Sequence, residues 1–232
     1  MSASRSNGLV IAIDGPSGAG KSTLTRLLAH CLGYIHIDTG AMYRTLALAV
    51  SRAGIAIDDE AAVAALCRRV SITFLRDDTG YRVIANGEDV SDAIRTPEIS
   101  MLTSRLSAQR AVREILLELQ RRMGESGGVI LEGRDIGTVV FPDAEVKFFL
   151  SASAEERGQR RFLELREKDP SATLEETIVA VAQRDARDAA RELAPLRKAD
   201  DALEIDSTGV PVETVLRRME QIVRERVRSG RD

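Results

Sequence analysis

The sequence is poor in the residues that several functional classes require. Of its 232 residues only 3% are aromatic, tryptophan is missing, and cysteine and histidine occur twice each. Few rings, together with a net charge of −3 and no basic block, argue against a surface that binds nucleic acid. The cysteines and histidines show no metal-ligand spacing, and two cysteines are too few for a disulfide framework.

Long apolar runs are missing as well. No stretch approaches the roughly 20 apolar residues that cross a bilayer, and the first residues contain no apolar segment of a secretory signal. With 44% hydrophobic and 30% charged residues, the composition is that of an ordinary globular protein. We therefore expect one domain spanning 1–232, in a reducing cytoplasm and without membrane contact. Nothing in the sequence demands an oligomer, and we expect a monomer.

What the sequence does contain is a glycine-rich loop between a predicted strand, Leu9–Ile13, and a predicted helix. Gly15 is followed by four residues and then by Gly20-Lys21-Ser22, which is the spacing of a P-loop. Glycines let such a backbone curl and turn its N–H groups towards an anion, with a helix N-terminus behind them. Lys21 is suited to reach the β- and γ-phosphates, and the Ser22 hydroxyl to hold Mg²⁺. The predicted triphosphate-binding residues are Gly15, Pro16, Ser17, Gly18, Ala19, Gly20, Lys21, Ser22 and Thr23.

Further along the chain, short apolar strands alternate with amphipathic helices. The other predicted strands are Tyr34–Ile37, Val129–Leu131, Glu145–Leu150 and Leu203–Asp206. This alternation predicts an α/β fold in which a five-stranded parallel sheet is covered by helices on both faces.

The pattern changes between the second and third of these strands. Two β-rich stretches, Ser71–Arg76 and Arg82–Ala85, flank a turn signal at Asp78-Thr79-Gly80, and a long helical tract then extends from 97 to 124. A small antiparallel hairpin within a βα alternation is typical of an insertion. Later, capping boxes that begin at Ser153 and Thr173 predict two charged helices.

A P-loop leaves the reaction open, and several classes of protein compete. A GTPase would need an N-K-x-D-type motif that recognises guanine, but neither of the two asparagines, Asn7 and Asn86, begins such a motif. A motor or remodelling ATPase usually has an acidic pair after its second apolar strand, whereas Val129–Leu131 ends in the single acid Glu132. A small-molecule kinase and a non-catalytic nucleotide-binding protein are both compatible with the loop.

Arginines lie where phosphate groups would be bound, either just after predicted strands or on one face of predicted helices. Such clamps suit phosphoryl transfer, because its transition state spreads negative charge over oxygens that the protein neutralises. The helical sets have i, i+3, i+4 and i, i+4, i+7 spacing, so each is predicted to share one helix face. The residues are Arg44 and Arg134 after strands, and the sets Arg157, Arg160, Arg161 and Arg184, Asp188, Arg191.

Four segments together closely resemble the bacterial cytidylate kinase family: Ile13–Ser22, Asp38–Arg44, Glu132–Pro142 and Arg184–Arg191. The resemblance runs in order over nearly the whole chain. It implies a P-loop kinase fold with an NMP-binding insertion at 40–126, which carries the hairpin, and a helical lid with its adjoining helix at 153–192. It also implies transfer of the ATP γ-phosphate to CMP or dCMP, with Mg²⁺ accompanying ATP.

The resemblance further implies how cytosine is recognised. Cytosine offers an amino donor beside two acceptors, so a site that recognises it should combine a carboxylate with a guanidinium or hydroxyls. The matching positions are Asp135 for the donor and Arg113 and Ser104 for the acceptors, with Thr39 nearby. Uracil would present a lone pair to Asp135, which should cost a few kcal/mol.

The remaining roles are implied in the same way. Tyr43, Arg184 and Asp188 match the sugar site, and Arg44, Arg134 and Arg191 match the clamp on the acceptor phosphate. Arg157, Arg160 and Arg161 would belong to a lid that closes over the transferred phosphoryl group. Glu132 stands in place of an aspartate, and its role is left open. The expected catalytic residues are Lys21, Arg134, Arg191, Arg157 and Arg161.

Overall fold

The computed structural model describes residues 5–77, 80–166 and 169–229, so that Asp78 and Thr79 of the expected turn lie outside the described residues. The chain forms two compact units, of which the first comprises the segments up to Ile35 and from Ser126, and the second is His36–Glu125. Within the described ranges, no helix is both long and apolar enough to cross a membrane.

The elements follow one another in the alternating order that the sequence predicts. They are β1 (Val10–Asp14), α1 (Lys21–Leu32), β2 (Ile35–Asp38), α2 (Thr39–Arg52), α3 (Glu60–Cys67), β3 (Ile72–Asp77), β4 (Gly80–Ala85), β5 (Glu88–Asp89), a 3₁₀ turn (Ala93–Arg95), α4 (Pro97–Leu106), α5 (Arg110–Gly124), β6 (Val129–Gly133), a π-helical turn (Ile136–Val140), β7 (Val146–Ser151), α6 (Ala154–Arg166), α7 (Leu174–Ala189), β8 (Leu203–Asp206) and α8 (Val212–Ser229).

The main sheet has five strands in the order β2-β6-β1-β7-β8, which confirms the predicted sheet. Strand β1 pairs in parallel with both β6 and β7, and β7 pairs in parallel with β8. Every residue of β1 is buried, because helices cover both faces of a parallel sheet. Its side chains Ile11 and Ile13 form a core with Leu28 of α1, Phe148 of β7 and Met219 of α8.

The second unit contains the small sheet, in which β4 pairs antiparallel with both β3 and β5. The predicted hairpin is therefore confirmed, whereas the single long helical tract is wrong. It is divided into α4 and α5, because the backbone at Gln109 is extended and its side-chain amide donates to the Ile57 carbonyl, 2.6 Å away. The Ser107 hydroxyl, which donates to the Ser104 carbonyl, provides a local alternative to helical bonding there.

Both capped helices in the first unit begin where the sequence predicts. The Glu156 N–H donates to the Ser153 hydroxyl at 3.1 Å, and the Glu176 N–H donates to the Thr173 hydroxyl at 3.3 Å. These bonds satisfy N–H groups that have no partner within the helix.

Candidate active site

The P-loop and the segment after β6 leave the sheet side by side. Asp14, the last residue of β1, is the register partner of Gly133, the last residue of β6. Because parallel strands present their carboxyl ends at one edge, Lys21 and Ser22 come close to Glu132 and Arg134. The third predicted strand therefore lies beside the P-loop strand.

The loop has the curled backbone that its glycines predict. Gly15, Gly18 and Gly20 have φ values of 146°, 78° and 86°, which L side chains rarely adopt. Lys21 opens α1, is only 7% exposed, and its Nζ donates to the carbonyls of Gly15 and Pro16 at 2.7 and 2.6 Å. The ammonium group is therefore held inside the curve of the loop.

Gly15 also lies too close to β7 to accept a side chain. A Cβ atom there would be 2.0 Å from the Leu150 carbonyl oxygen. We expect Gly15→Ala to lower the free energy of unfolding by about 3 kcal/mol or more, measured by urea denaturation. The matched control is Gly33→Ala, which also has positive φ but nothing within 4 Å and should lose only about 1 kcal/mol. Equal losses in the two variants would contradict the clash.

Positive charges converge on Lys21. Burial lowers the pKa of Lys21 well below its ordinary value, and the nearby guanidinium groups of Arg134 and Arg184 lower it further. The carboxylates of Glu132 and Asp14 oppose this shift. A buried ammonium group beside two guanidinium groups is unfavourable by itself, and an anion bound among them would relieve the repulsion.

The Ser22 hydroxyl donates to Glu132 Oε2 at 2.9 Å, and Glu132 is 4% exposed. A hydroxyl and a carboxylate oxygen at this distance are ligand types that Mg²⁺ prefers. No group of three or more His, Cys, Asp or Glu side chains suited to a metal occurs among the described residues. Ser22 and Glu132 are therefore the side chains beside the P-loop that could hold such an ion.

Asp188 holds two of the predicted clamp arginines together. Its carboxylate is 3.0 Å from Arg134 Nε and 2.6 Å from Arg191 Nη2, and its side chain is 4% exposed. The expectation that Arg191 shares a helix with Asp188 is wrong, since α7 ends at Ala189. The helix ends there because the chain turns back, so that the Leu196 N–H donates to the Asp188 carbonyl.

Sequence reasoning did not assign a role to Asp14, which organises the segment after Arg134. Its two carboxylate oxygens accept the N–H groups of Ile136 and Gly137 at 2.9 and 2.7 Å. These bonds fix the start of the π-helical turn, directly after Asp135. The available signal was a charged residue at the end of an otherwise apolar strand.

Asp14 should leave a mark on the pH dependence of stability. Burial raises the pKa of Asp14 from 3.8 to about 6, although the two N–H donors lower it. Between pH 4 and 6 the folded protein keeps a proton that the unfolded chain releases, so rising pH destabilises the fold through this group. We expect the free energy of unfolding of the wild type, relative to Asp14→Asn, to fall by about 2 kcal/mol from pH 4 to pH 7. A constant difference in urea denaturation would contradict the raised pKa.

The arginines of α6 bind acceptors of the protein in this structure. Arg157 is 7% exposed, donates to the Ser17 carbonyl at 3.1 Å, and forms an ion pair with Asp185. Arg161 pairs with Glu164 at 2.8 Å on an exposed surface. Of the predicted lid residues, the structure therefore brings Arg157 to the P-loop and leaves Arg161 near solvent.

In the second unit, Asp38 orients Arg44 and leaves one of its donors available. Asp38 caps α2 by accepting the Ala41 N–H at 2.8 Å, and it pairs with Arg44 Nη2 at 2.9 Å. Burial would raise the pKa of Asp38, but Arg44 and His36 hold it below its ordinary value. The Nε of Arg44 is buried without a hydrogen-bond partner among the described residues. That donor remains available to a ligand.

The same unit holds the remaining residues predicted to bind the base and sugar. The Arg113 guanidinium lies 5.8 Å from the centre of the Tyr43 ring, and it donates to the Ser107 carbonyl at 3.2 Å. Helix α2 contacts both α4, which carries Ser104, and α5, which carries Arg113. Thr39 is buried as the first residue of α2.

The chain is also similar to known proteins. Residues 11–225 match the family described as cytidylate kinase. Cytidylate kinase from Geobacter sulfurreducens is 67% identical over 229 residues, which cover 99% of this chain and 98% of the relative. Cytidylate kinase from Lactobacillus johnsonii is 46% identical over 216 residues, or 93% of this chain and 94% of the relative.

Among solved structures, shikimate kinase from Bacteroides thetaiotaomicron is similar with a TM-score of 0.49 and 13% identity, over 93% of this chain and 98% of that protein. A similarity of this size supports no argument about function. The match over residues 11–225 and the identities with relatives over nearly the full length are far stronger. This chain belongs to the cytidylate kinase family.

Proposed function

We propose that the protein transfers the γ-phosphate of ATP to CMP or dCMP, forming ADP and CDP or dCDP. The observation that carries the proposal is the convergence of Lys21, Arg134 and Arg184 beside the P-loop, with Arg191 joined to Arg134 through Asp188. Burial and two neighbouring guanidinium groups already disfavour the charge on Lys21, so an anion bound there would be favourable. The four cations suit a triphosphate together with the phosphate that receives its terminal group.

The residues proposed to bind CMP follow from the family. In the first unit they are Arg134, Asp135, Arg184, Asp188 and Arg191, and in the second unit Thr39, Tyr43, Arg44, Ser104 and Arg113. The buried, unpartnered Nε of Arg44 supports a phosphate contact, and the ion pairs at Asp188 support a role in orienting two guanidinium groups. ATP is proposed to bind residues 15–23.

In the proposed reaction an oxygen of the CMP phosphate attacks the γ-phosphorus of ATP, and the bond to the departing ADP oxygen breaks. The attacking phosphate is already an anion, so no general base is required. Lys21, Arg134 and Arg191 would neutralise the charge that develops on the transferred group. Closure of the segment 153–192 would bring Arg161 towards the transferred group and exclude water. For Arg157 to act in the same way, its guanidinium would have to leave Ser17 and Asp185.

We propose that Ser22 and Glu132 hold Mg²⁺ together with ATP. Their side-chain oxygens lie 2.9 Å apart, and Glu132 is buried beside the P-loop. Oxygen ligands of this kind are the ones that Mg²⁺ prefers. When bound, the ion would supply positive charge to the phosphate oxygens. The proposal gives Glu132 the role that the sequence left open.

A monomeric, cytoplasmic enzyme is proposed as well. Both cysteines are free thiols, Cys31 exposed and Cys67 buried, as a reducing compartment allows. Burial raises the pKa of the Cys67 thiol to about 11, so this group stays protonated and unreactive.

An ADP-release assay across CMP, dCMP, UMP, AMP and shikimate tests the proposed activity. We expect CMP and dCMP to be preferred over UMP by at least about tenfold in kcat/KM, because uracil leaves the Asp135 carboxylate facing a lone pair. Equal rates with UMP would contradict the assignment of Asp135. Nucleotide binding with slow hydrolysis that no acceptor stimulates would instead indicate a non-catalytic or switch-like nucleotide-binding protein.

A further inference from the structure

Three consecutive carbonyls of the P-loop are held by side chains from other parts of the first unit. The Ser17 carbonyl accepts from Arg157 Nη1 at 3.1 Å, and the Gly18 carbonyl accepts from Arg160 Nη1 at 3.4 Å. The Ala19 carbonyl accepts from the Ser207 hydroxyl at 3.3 Å. These donors come from α6 and from the loop after β8, both distant from the P-loop in sequence.

Holding these carbonyls also sets the direction of the next N–H groups. In a planar trans peptide, the C=O of one residue and the N–H of the following residue point in opposite directions. With the carbonyls of residues 17, 18 and 19 bound on one side, the N–H groups of Gly18, Ala19 and Gly20 point to the other side. The glycines give this backbone many alternative conformations, so external contacts determine which one it keeps.

Arg160 and Ser207 form the centre of this support. Arg160 donates to the Ser207 carbonyl at 2.9 Å and to its hydroxyl at 3.2 Å, and an ion pair with Glu156 orients the guanidinium. Ser207 is 4% exposed, and its N–H donates to the Ser151 carbonyl at the end of β7. The single hydroxyl proton of Ser207 has the Ala19 and Ser151 carbonyls within reach, at 3.3 and 3.1 Å.

We propose that Arg160 and Ser207 are positioning residues that hold the P-loop from its outer side and keep its N–H groups aimed at the phosphates before ATP binds. This inference rests on the proposed function, because it takes ATP as the ligand that the P-loop binds. Arg160, which the family pattern places in a lid over the transferred phosphoryl group, then acts through the backbone at Gly18 and through Ser207.

The test is calorimetric binding of ATP, without CMP, to the full-length wild type and to Arg160→Ala, Ser207→Ala and the double variant. We expect the Kd for ATP to rise by about three- to tenfold in each single variant, because each removes hydrogen bonds that support the loop. The rise in Kd in the double variant should be smaller than the product of the rises in the two single variants, because both residues belong to one hydrogen-bond network. The KM for CMP should change by less than about twofold.

Charge and stability require separate controls. Ser207→Ala changes no charge, and Arg160→Lys keeps the charge but cannot reach Gly18 and both Ser207 oxygens together, so it should recover only part of the affinity. Arg166→Ala on the same helix and Ser229→Ala on α8 are matched controls that should bind ATP as the wild type does. In the ATP-free protein, amide hydrogen exchange at Gly18, Ala19 and Gly20 should be faster in Ser207→Ala than in the wild type. It should be unchanged in Ser229→Ala.

The outcomes are distinguishable. An unchanged Kd in Ser207→Ala, with or without a lower melting temperature, overturns the inference, and so does full recovery of affinity in Arg160→Lys. If the wild type binds ATP but does not phosphorylate CMP, the proposed function fails, while weaker ATP binding in the variants still supports the positioning role.

Discussion

Replacing Arg134 by alanine is expected to reduce kcat/KM for CMP phosphorylation by about 10³-fold while the Kd for ATP changes by less than about threefold. Arg134 follows β6, and its Nε is held 3.0 Å from Asp188, which leaves part of the guanidinium to a ligand. Its charge lies close enough to Lys21 to lower the pKa of that residue. In the proposed reaction its loss would therefore remove charge stabilisation from the transferred group, and the P-loop backbone should keep its conformation.

Steady-state kinetics with CMP and calorimetry with ATP measure the two effects separately. The matched control is Arg187→Ala, because Arg187 precedes Asp188 on α7 but is exposed and donates to the Gln183 carbonyl of its own helix. The control should keep wild-type kinetics. A comparable loss of ATP affinity in Arg134→Ala would show that this arginine serves the triphosphate and would contradict the proposed division of roles.

Replacing Lys21 by methionine is expected to lower kcat by about 10³-fold and to weaken ATP binding by at least about tenfold. Its ammonium group is held by the Gly15 and Pro16 carbonyls inside the curve of the loop, where it meets the terminal phosphates in the proposed complex. Methionine keeps most of the buried volume, so the variant should remain folded. The loss thus reports on charge more than on packing.

The matched control for Lys21 is Lys198→Met, which removes an exposed ammonium group paired with Glu204. It should show wild-type kinetics and ATP affinity. If Lys21→Met kept full ATP affinity and lost only turnover, Lys21 would act on the transferred group alone. If it kept both, the assignment of the P-loop as the ATP site would be wrong.

Local sequence patterns were sufficient for the main elements. The strand that ends at Asp14, the glycine loop and the following helix are contiguous, so their spacing carries the information. The capping residues Ser153 and Thr173 act on N–H groups three residues away, and both caps are present. Periodicity failed at Gln109, where the distant Ile57 carbonyl binds its side chain and the helical tract is interrupted.

The site itself depends on contacts that no local pattern contains. Asp14 binds N–H groups 122 and 123 residues away, and Ser22 meets Glu132 across 110 residues. Arg157 and Arg160 were assigned from one helix face, yet their acceptors include P-loop carbonyls 140 and 142 residues away. Spacing shows which side chains share a face, but it does not show what the fold places opposite that face.

The sequence alone thus determined the α/β order, the phosphate-binding loop and the family, because each is written in short segments whose residues act on near neighbours. Only the tertiary structure decided which acids and arginines meet, that Asp188 joins Arg134 to Arg191, and that side chains of α6 and the loop after β8 hold the P-loop. The physical reason is that parallel strands bring distant segments together at one sheet edge, where pairing depends on register and packing.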